Sequence, residues 1–288
     1  MKELVIISGK GGTGKTSVTG GFAALTNNMI LADADVDASD LHLLLKPNVL
    51  KTEDFSGGKV ASIDPEKCTR CGRCQEVCRF DAITDVFHVD IVGCEGCGVC
   101  VWNCPADAIT FNAHVNGECY ISETRYGDMV HAGLGIAEEN SGKLVTLVRE
   151  KARELAQQKQ RQLLLVDGPP GTGCPVIAAI GGADMLLVVA EPTLSAIHDM
   201  KRVLNVARHF GVKAGICINK YDLKPELACE IEQFCKTEKV KILGKIPFDE
   251  NMVKAQVNGV NIIEYDDGNL KNAIIAMWEK IKSEIAQL

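Results

Sequence analysis

The chain has 288 residues, 46% of them hydrophobic, and a formal net charge of −7. That size and apolar content suit one large or two smaller globular domains, and the acidic balance argues against a nonspecific nucleic-acid binder, which would carry a basic face. The longest apolar run, Met185–Ala190, is too short for a membrane-spanning helix and suits a buried strand.

The first predicted strand is Leu4-Val5-Ile6-Ile7. It leads into Gly9-Lys10-Gly11-Gly12-Thr13-Gly14-Lys15-Thr16, and a helical pattern continues from Thr16 to Asn27. Strand, Gly-rich loop and helix in that order make a phosphate-binding P-loop. Backbone N–H groups of Gly11, Gly12, Thr13, Gly14, Lys15, Thr16 and Ser17 are expected to cradle the anion at the helix N-terminus. Lys15 is expected to reach the β- and γ-phosphates, and the Thr16 hydroxyl to complete the shell of a Mg²⁺ ion. With strand and P-loop at the very start, no cleavable leader is expected, and the cytoplasm is the expected location.

Lys10 narrows the class. The pattern K-G-G-x-G-K-[ST] is met from Lys10 to Thr16. In this the sequence resembles the deviant Walker A family of P-loop ATPases, which includes MinD, ParA, the Mrp-type iron–sulfur carriers and the nitrogenase iron protein. The resemblance implies ATP and Mg²⁺ as ligands and an ATP-dependent homodimer. In that dimer Lys10 would reach the partner's nucleotide, as an arginine finger does. A second predicted strand, Met29–Ala32, ends in Asp33-Ala34-Asp35-Val36-Asp37. Ligands of open α/β sheets bind at such strand ends. The resemblance makes Asp35 the water-positioning carboxylate, with Asp37 as a substitute, and puts Asp33 near the metal.

Residues 51–58 are polar and contain Gly57 and Gly58, which suggests a domain junction. An internal repeat follows. Residues 68–84 and 94–110 match at nine of seventeen positions, and each half carries C-x2-C-x2-C-x3-C. Eight of the thirteen cysteines lie in this stretch, which points to metal rather than crosslinks. The spacing is that of bacterial-type ferredoxins with two [4Fe–4S] clusters, in which the fourth cysteine of each half serves the other cluster. The expected sets are Cys68, Cys71, Cys74 and Cys104 for the first, and Cys78, Cys94, Cys97 and Cys100 for the second. Paired zinc sites are the competing reading of C-x2-C pairs; the doubled 2-2-3 spacing favours clusters. Pro105 follows Cys104, whereas Arg79 follows Cys78, a departure expected to leave ligation intact.

Phe111 to Ala137 carries no site signal. Ser141 reads as the N-cap of a helix with Leu144, Leu147, Val148 and Leu155 on one face. The strand Leu163–Val166 then ends in Asp167-Gly168-Pro169-Pro170-Gly171-Thr172-Gly173, which resembles the family's switch II, D-x-P-P-G-x-G. The resemblance places Asp167 on the Mg²⁺ shell. Cys174 replaces an Asp found in many relatives; the resemblance to the nitrogenase iron protein, which has a cluster-ligating cysteine near this place, makes a dimer-bridging ligand one reading, and a buried free thiol is the favoured one. Cys229 and Cys235 do not form a carrier-type C-x-x-C.

Strand Met185–Ala190 leads to Glu191-Pro192-Thr193, similar to the family's base-proximal loop. A helix from Thr193 to Phe210 stops at Gly211. Strand Ala214–Ile218 ends in Asn219, which the resemblance assigns to the adenine edge, and Val240–Ile246 is the last predicted strand. The C-terminal stripe Ile274, Trp278, Ile281, Ile285 and Leu288 is expected to pack on the sheet, since its polar face mixes acids with lysines.

The expected fold is a mostly parallel, doubly wound α/β P-loop NTPase sheet over 1–58 and 114–288, with a small ferredoxin-like α+β domain inserted at 59–113. The expected function is ATP hydrolysis coupled to electron transfer through two [4Fe–4S] clusters. The expected partners are a second copy and a redox or iron–sulfur acceptor protein, with neither nucleic acid nor a membrane span. A cluster carrier or assembly factor is one alternative, and a MinD- or ParA-type positioning ATPase with redox-sensing clusters is another.

Overall fold

A computed structural model describes residues 1–135 and 142–288. In chain order its elements begin with β1 (Lys2–Ser8), α1 (Lys15–Ala23), β2 (Met29–Asp33), α2 (Leu41–Leu45), β3 (Asn48–Phe55) and β4 (Gly58–Ile63). Next come α3 (Arg73–Val77), α4 (Val99–Trp102), β5 (Ile109–His114), β6 (Gly117–Thr124) and β7 (Gly127–Leu134). Then follow α5 (Lys143–Gln158), β8 (Leu163–Pro170), α6 (Cys174–Ile180), β9 (Met185–Ala190), α7 (Leu194–His209) and β10 (Lys213–Asn219). The chain closes with α8 (Pro225–Thr237), β11 (Lys241–Ile246), α9 (Glu250–Val257), α10 (Ile262–Tyr265) and α11 (Asn269–Ile285). No described helix is long and apolar enough to cross a membrane.

The chain divides into two compact units. The first comprises Met1–Thr52, Cys119–Gly133 and the C-terminal half to Leu288; the second is centred on Glu53–Glu118.

In the first unit a nine-stranded sheet runs β11-β10-β9-β1-β8-β2-β7-β6-β3. The pairs from β11 to β7 are all parallel. Parallel strands need crossovers, and those crossovers are helices that cover both faces. The central strands are therefore apolar on both sides: Leu4, Val5, Ile6 and Ile7 of β1 are fully buried. Each such side chain contributes about 2 kcal/mol.

One face packs Leu4, Ile6, Leu31, Leu165 and Leu187 against Phe22 of α1 and Ile274, Met277, Trp278 and Ile281 of α11. Phe22 and Trp278 sit with ring centroids 4.8 Å apart. The C-terminal stripe thus lies in the core as expected, although Leu288 is beyond the helix and exposed. α5, α6 and α7 cover strands β2, β8, β9 and β10. Thr193 caps α7 by accepting the Ala196 N–H at 3.3 Å, and Gly211 follows the helix at φ 66°.

Two expectations about the elements change. Residues 51–58 are not a plain junction: β3 runs through to Phe55 and β4 starts at Gly58. β3 is a mostly exposed end strand of the sheet, so it needs no apolar face and shows no apolar alternation. The segment without a site signal, Phe111 to Ala137, holds most of β5 and all of β6 and β7. Ser141, read as an N-cap, lies outside the described residues; Gly142 directly precedes α5.

β6 and β7 bury a histidine. His131 Nε2 lies 2.9 Å from Ser122 Oγ, and its ring stacks on Tyr120 at 5.0 Å. Burial, with a smaller contribution from His42, pushes its pKa down to about 4. The neutral ring is therefore favoured in the fold, whereas an unfolded histidine titrates near pH 6.5. This contribution is fully present above pH 6.5, is lost as pH falls from 6.5 to 4, and changes no further below. His131→Gln should remove about 2 kcal/mol of the acid dependence, read by urea unfolding at pH 7 and pH 4.5.

The second unit pairs β4 with β5 antiparallel, Gly58 opposite His114 and Ile63 opposite Ile109. A bridge joins Ile83 to Val89. Its core is small: Ala61, Cys74, Ile83, Val89 and Ile109, with Cys78, Cys94, Cys100 and Cys104 packed around it. The unit reaches beyond the expected 59–113 because the strands flanking the repeat extend it at both ends.

Candidate functional site

β1 ends at Ser8, and the loop Gly9–Gly14 leads into α1. Gly14 is required there. Its φ of 90° is left-handed, and a Cβ would lie 2.4 Å from Asn219 Nδ2. Asn219 instead donates from Nδ2 to the Thr13 carbonyl at 2.7 Å, tying the end of β10 to the loop. The loop borders a cavity of about 390 Å³. Gly11 to Ser17, Asp35, Asn219, Lys220, Phe248 and Gln256 line it. That volume lies within the usual small-molecule range.

Parallel register brings the acids together. Asp33 of β2 and Asp167 of β8 are direct partners across adjacent strands. Lys15 Nζ lies 3.0 Å from Asp35 Oδ2 and 3.2 Å from Asp167 Oδ1. Burial opposes its charge, but Asp167, Asp35 and Asp33 outweigh that, and its pKa is pushed up to about 12. Thr16 Oγ1 donates to Asp167 Oδ2 at 2.8 Å, and Thr19 Oγ1 donates to Asp167 Oδ1 at 2.8 Å. Thr16 and Asp167 are thus adjacent, as a shared cation shell requires.

Asp33 has a different set of contacts. It accepts from the Asp35 N–H at 3.2 Å, from Ser39 Oγ at 2.8 Å and from the Leu41 N–H at 3.2 Å. Burial, then the nearby Asp167, raises its carboxyl well above the usual range. Its oxygens hold the loop that carries Asp35. Two buried oxygens of the site, Thr13 Oγ1 and Asp35 Oδ1, have no hydrogen-bond partner among the described residues. Orphaned polar atoms on the wall of an anion cradle fit a site that takes a hydrated ligand.

Lys10 forms an ion pair with Glu191, Nζ to Oε1 at 2.7 Å. Lys220 shares the same carboxylate at 3.2 Å and approaches the Gly12 carbonyl at 3.4 Å. Glu191, Lys220 and Thr19 carried little or no site signal in the sequence. Thr19 lies four residues after Lys15, hence on the same helical face, and that spacing could have found it.

A second constellation lies in the other unit. One cavity is lined by Cys68, Cys71, Cys74 and Cys104, with Ile63, Phe87 and Ile109 among its walls. Another is lined by Cys78, Cys94, Cys97 and Cys100, with Phe80, Ile83 and Val89. Gly72 and Gly98, at φ 78° and 74°, turn the chain into α3 and α4 at equivalent points of the two halves. Each cavity thus takes three cysteines from one half and one from the other. No three His, Cys, Asp or Glu side chains among the described residues close on one point as a single-ion site would. Burial raises the thiol pKa of Cys74 and Cys100, and the Ala108 N–H donates to Cys104 Sγ at 3.3 Å. Cys174 is exposed rather than buried, at the start of α6.

A parallel sheet with a Gly-rich loop after its central strand, and acids at the ends of adjacent strands, defines a P-loop nucleotide-binding protein. Residues 4–262 match the CbiA family of CobQ/CobB/MinD/ParA nucleotide-binding domains, and the chain belongs to that family. An uncharacterized protein of Methanocaldococcus jannaschii is 33% identical over 98% of this chain and 97% of its own. An iron–sulfur cluster carrier protein of Pyrococcus horikoshii is 25% identical over 43% of this chain and 46% of its own. The fold is shared with the septum site-determining protein MinD of Pyrococcus horikoshii, solved with Mg-ADP, at a TM-score of 0.59 and 18% identity over 98% of this chain and 96% of that one.

Proposed function

We propose that the protein binds and hydrolyses MgATP, and that ATP-dependent pairing of two copies is coupled to electron transfer through two [4Fe–4S] clusters. The observation that carries the reading is the division of eight cysteines into two cavities of four, in a chain that also bears a complete P-loop.

At the nucleotide site the backbone N–H groups of Gly11 to Ser17 bind phosphate oxygens, and Lys15 leaves its carboxylates to meet the β- and γ-phosphates. Thr16 and Asp167 would hold Mg²⁺, which would neutralise phosphate charge there. Asp35 Oδ1, without a partner among the described residues, accepts a hydrogen bond from the attacking water and orients it. Asp33 fixes the Asp35 backbone from behind. Asn219, anchored to Thr13, faces the adenine edge. Lys10 supplies charge to the partner's phosphates, and the DGPPGTG loop after Asp167 responds to the γ-phosphate. Lys10→Ala should therefore leave nucleotide affinity within about twofold and slow turnover about a hundredfold. Isothermal titration and phosphate release measure the two, and normal turnover would refute the assignment.

In the second unit each cysteine set would hold one cubane. Four cysteines line each cavity beside apolar neighbours, and soft sulfur ligands suit iron–sulfur clusters. Bound clusters would supply one-electron chemistry. The residues around them set ligation and solvent access: Gly72 and Gly98 shape the loops, and the Ala108 N–H partly neutralises the Cys104 sulfur.

Anaerobic redox titration followed by EPR, with and without MgATP, tests the coupling. A potential that moves on adding MgATP supports it. Two clusters with no response to nucleotide refute it. A cluster-carrier role is the second reading, favoured by the similarity to the Pyrococcus carrier. It predicts loss of iron and sulfide to an apo-ferredoxin acceptor, whereas four cysteine ligands for each cluster favour resident clusters.

A further inference from the structure

Glu191 sits where two lysines of the nucleotide rim converge. Its Oε1 is 2.7 Å from Lys10 Nζ and its Oε2 is 3.2 Å from Lys220 Nζ. We propose that Glu191 is the positioning residue for both lysines and holds Lys10 on its own chain until MgATP and a second copy draw it away. This rests on the ATP-dependent pairing described above.

Both ends of the contact are anchored. Ser8 Oγ donates to the Lys10 carbonyl at 2.8 Å. Gly9 is pressed against α7, where a Cβ would lie 2.4 Å from Asp199 Cβ. On the other side Glu191 immediately follows β9, and two residues later Thr193 caps α7. The backbones are therefore fixed, and exchange of partners is a matter of side-chain rotation. Burial would raise the Glu191 pKa, but Lys10 and Lys220 hold it below the usual carboxylate range, so the carboxylate stays ionised near neutral pH.

The two lysines are held differently. Lys220 lines the cavity and also reaches the Gly12 carbonyl at 3.4 Å. Lys10 lies off the cavity wall, although every position from Gly11 to Ser17 is on it. One carboxylate thus keeps Lys220 at the mouth of the site and Lys10 away from the chain's own nucleotide. A triphosphate on a facing copy offers Lys10 more negative charge than a single carboxylate does. Once Lys10 leaves, Glu191 still neutralises Lys220, so no lysine or carboxylate is stranded. The contact is an element with two discrete arrangements, and pairing shifts their populations.

Sedimentation velocity on the full chain, titrated with Mg²⁺ and a non-hydrolysable ATP analogue, reads the effect. Glu191→Gln keeps the shape and removes the charge. It should lower the nucleotide concentration at half-maximal pairing about tenfold, the loss of one ion pair. Added to Lys10→Ala, it should give no further shift, whereas a merely structural Glu191 would act whatever stands at position 10. An unmoved or raised midpoint in a folded Glu191→Gln variant overturns the proposal, as does a shift that persists with Lys10→Ala. If Glu191→Gln does not fold, Glu191→Asp is the second variant. It is one methylene too short to hold both lysines, and it should move the midpoint the same way by a smaller factor; no movement overturns the proposal. A wild-type chain that stays single at saturating nucleotide refutes pairing itself, and the proposal with it. Wild-type pairing with an unmoved variant removes only the role of Glu191.

Discussion

Lys15→Ala is expected to abolish nucleotide binding and to destabilise the nucleotide-free protein by about 3 kcal/mol. On the proposed reading the first effect follows from losing the cation that would meet the β- and γ-phosphates. The second is particular to this arrangement. Lys15 is buried with Asp35 at 3.0 Å and Asp167 at 3.2 Å, and Asp33 lies directly across the strand pair from Asp167. Removing the ammonium leaves the buried Asp35 and Asp167 carboxylates without their cation, beside an Asp33 whose carboxyl is already held above the usual range, and breaking a buried ion pair from one side is costly. Denaturant unfolding without nucleotide measures it. Adding Asp167→Asn to Lys15→Ala should recover part of the loss, because one of the stranded charges is gone. A Lys15→Ala protein of unchanged stability would mean that these acids are protonated or hydrated in solution, and would refute this account of the site.

Cys104→Ser is expected to halve the iron content of anaerobically reconstituted protein and to spare the set of Cys78, Cys94, Cys97 and Cys100. In the chain Cys104 belongs to the second half of the repeat, with Cys94, Cys97 and Cys100. In space it closes the cavity of Cys68, Cys71 and Cys74. Loss of the signal from the first-half loop, with the other retained in EPR of the reduced protein, is the expected result; the opposite loss would overturn the pairing of the two halves. The effect on folding should also be large. The unit's core is little more than Ala61, Cys74, Ile83, Val89 and Ile109. So small a core does not outweigh the chain entropy it must order. If the proposed clusters are resident, removing all metal should cost the cysteine unit its cooperative unfolding transition, because cluster binding would then supply its folding free energy.

Much of this was legible in the sequence because it depends on local spacing. The P-loop works through consecutive backbone N–H groups, so a run such as Lys10–Thr16 carries its own geometry. The cysteine repeat is local in the same way, since three thiols on one tight turn require two-residue gaps. Buried strands such as Leu4–Ile7 and Met185–Ala190 were visible because helices cover both faces of a parallel sheet. β3 was not visible, because a mostly exposed end strand needs no apolar pattern. The burial of Cys174 was misjudged for the converse reason: no periodicity marks which face of a seven-residue helix will be covered.

By itself, then, the sequence determined a P-loop, an acid at each of two strand ends, a doubled cysteine framework and the alternation of strand and helix. Only the tertiary structure decided which charges meet. Asp33 and Asp167 are neighbours through the register of β2 with β8, and Glu191 joins Lys10 to Lys220 across three separate loops. Glu3, on β1, is bound by Arg149 and Arg153 of α5 in the same way, at 2.7 and 2.8 Å. Such pairs have no sequence spacing to announce them. Coulomb attraction acts through space, and the order in which strands join a sheet, not their order in the chain, sets those distances.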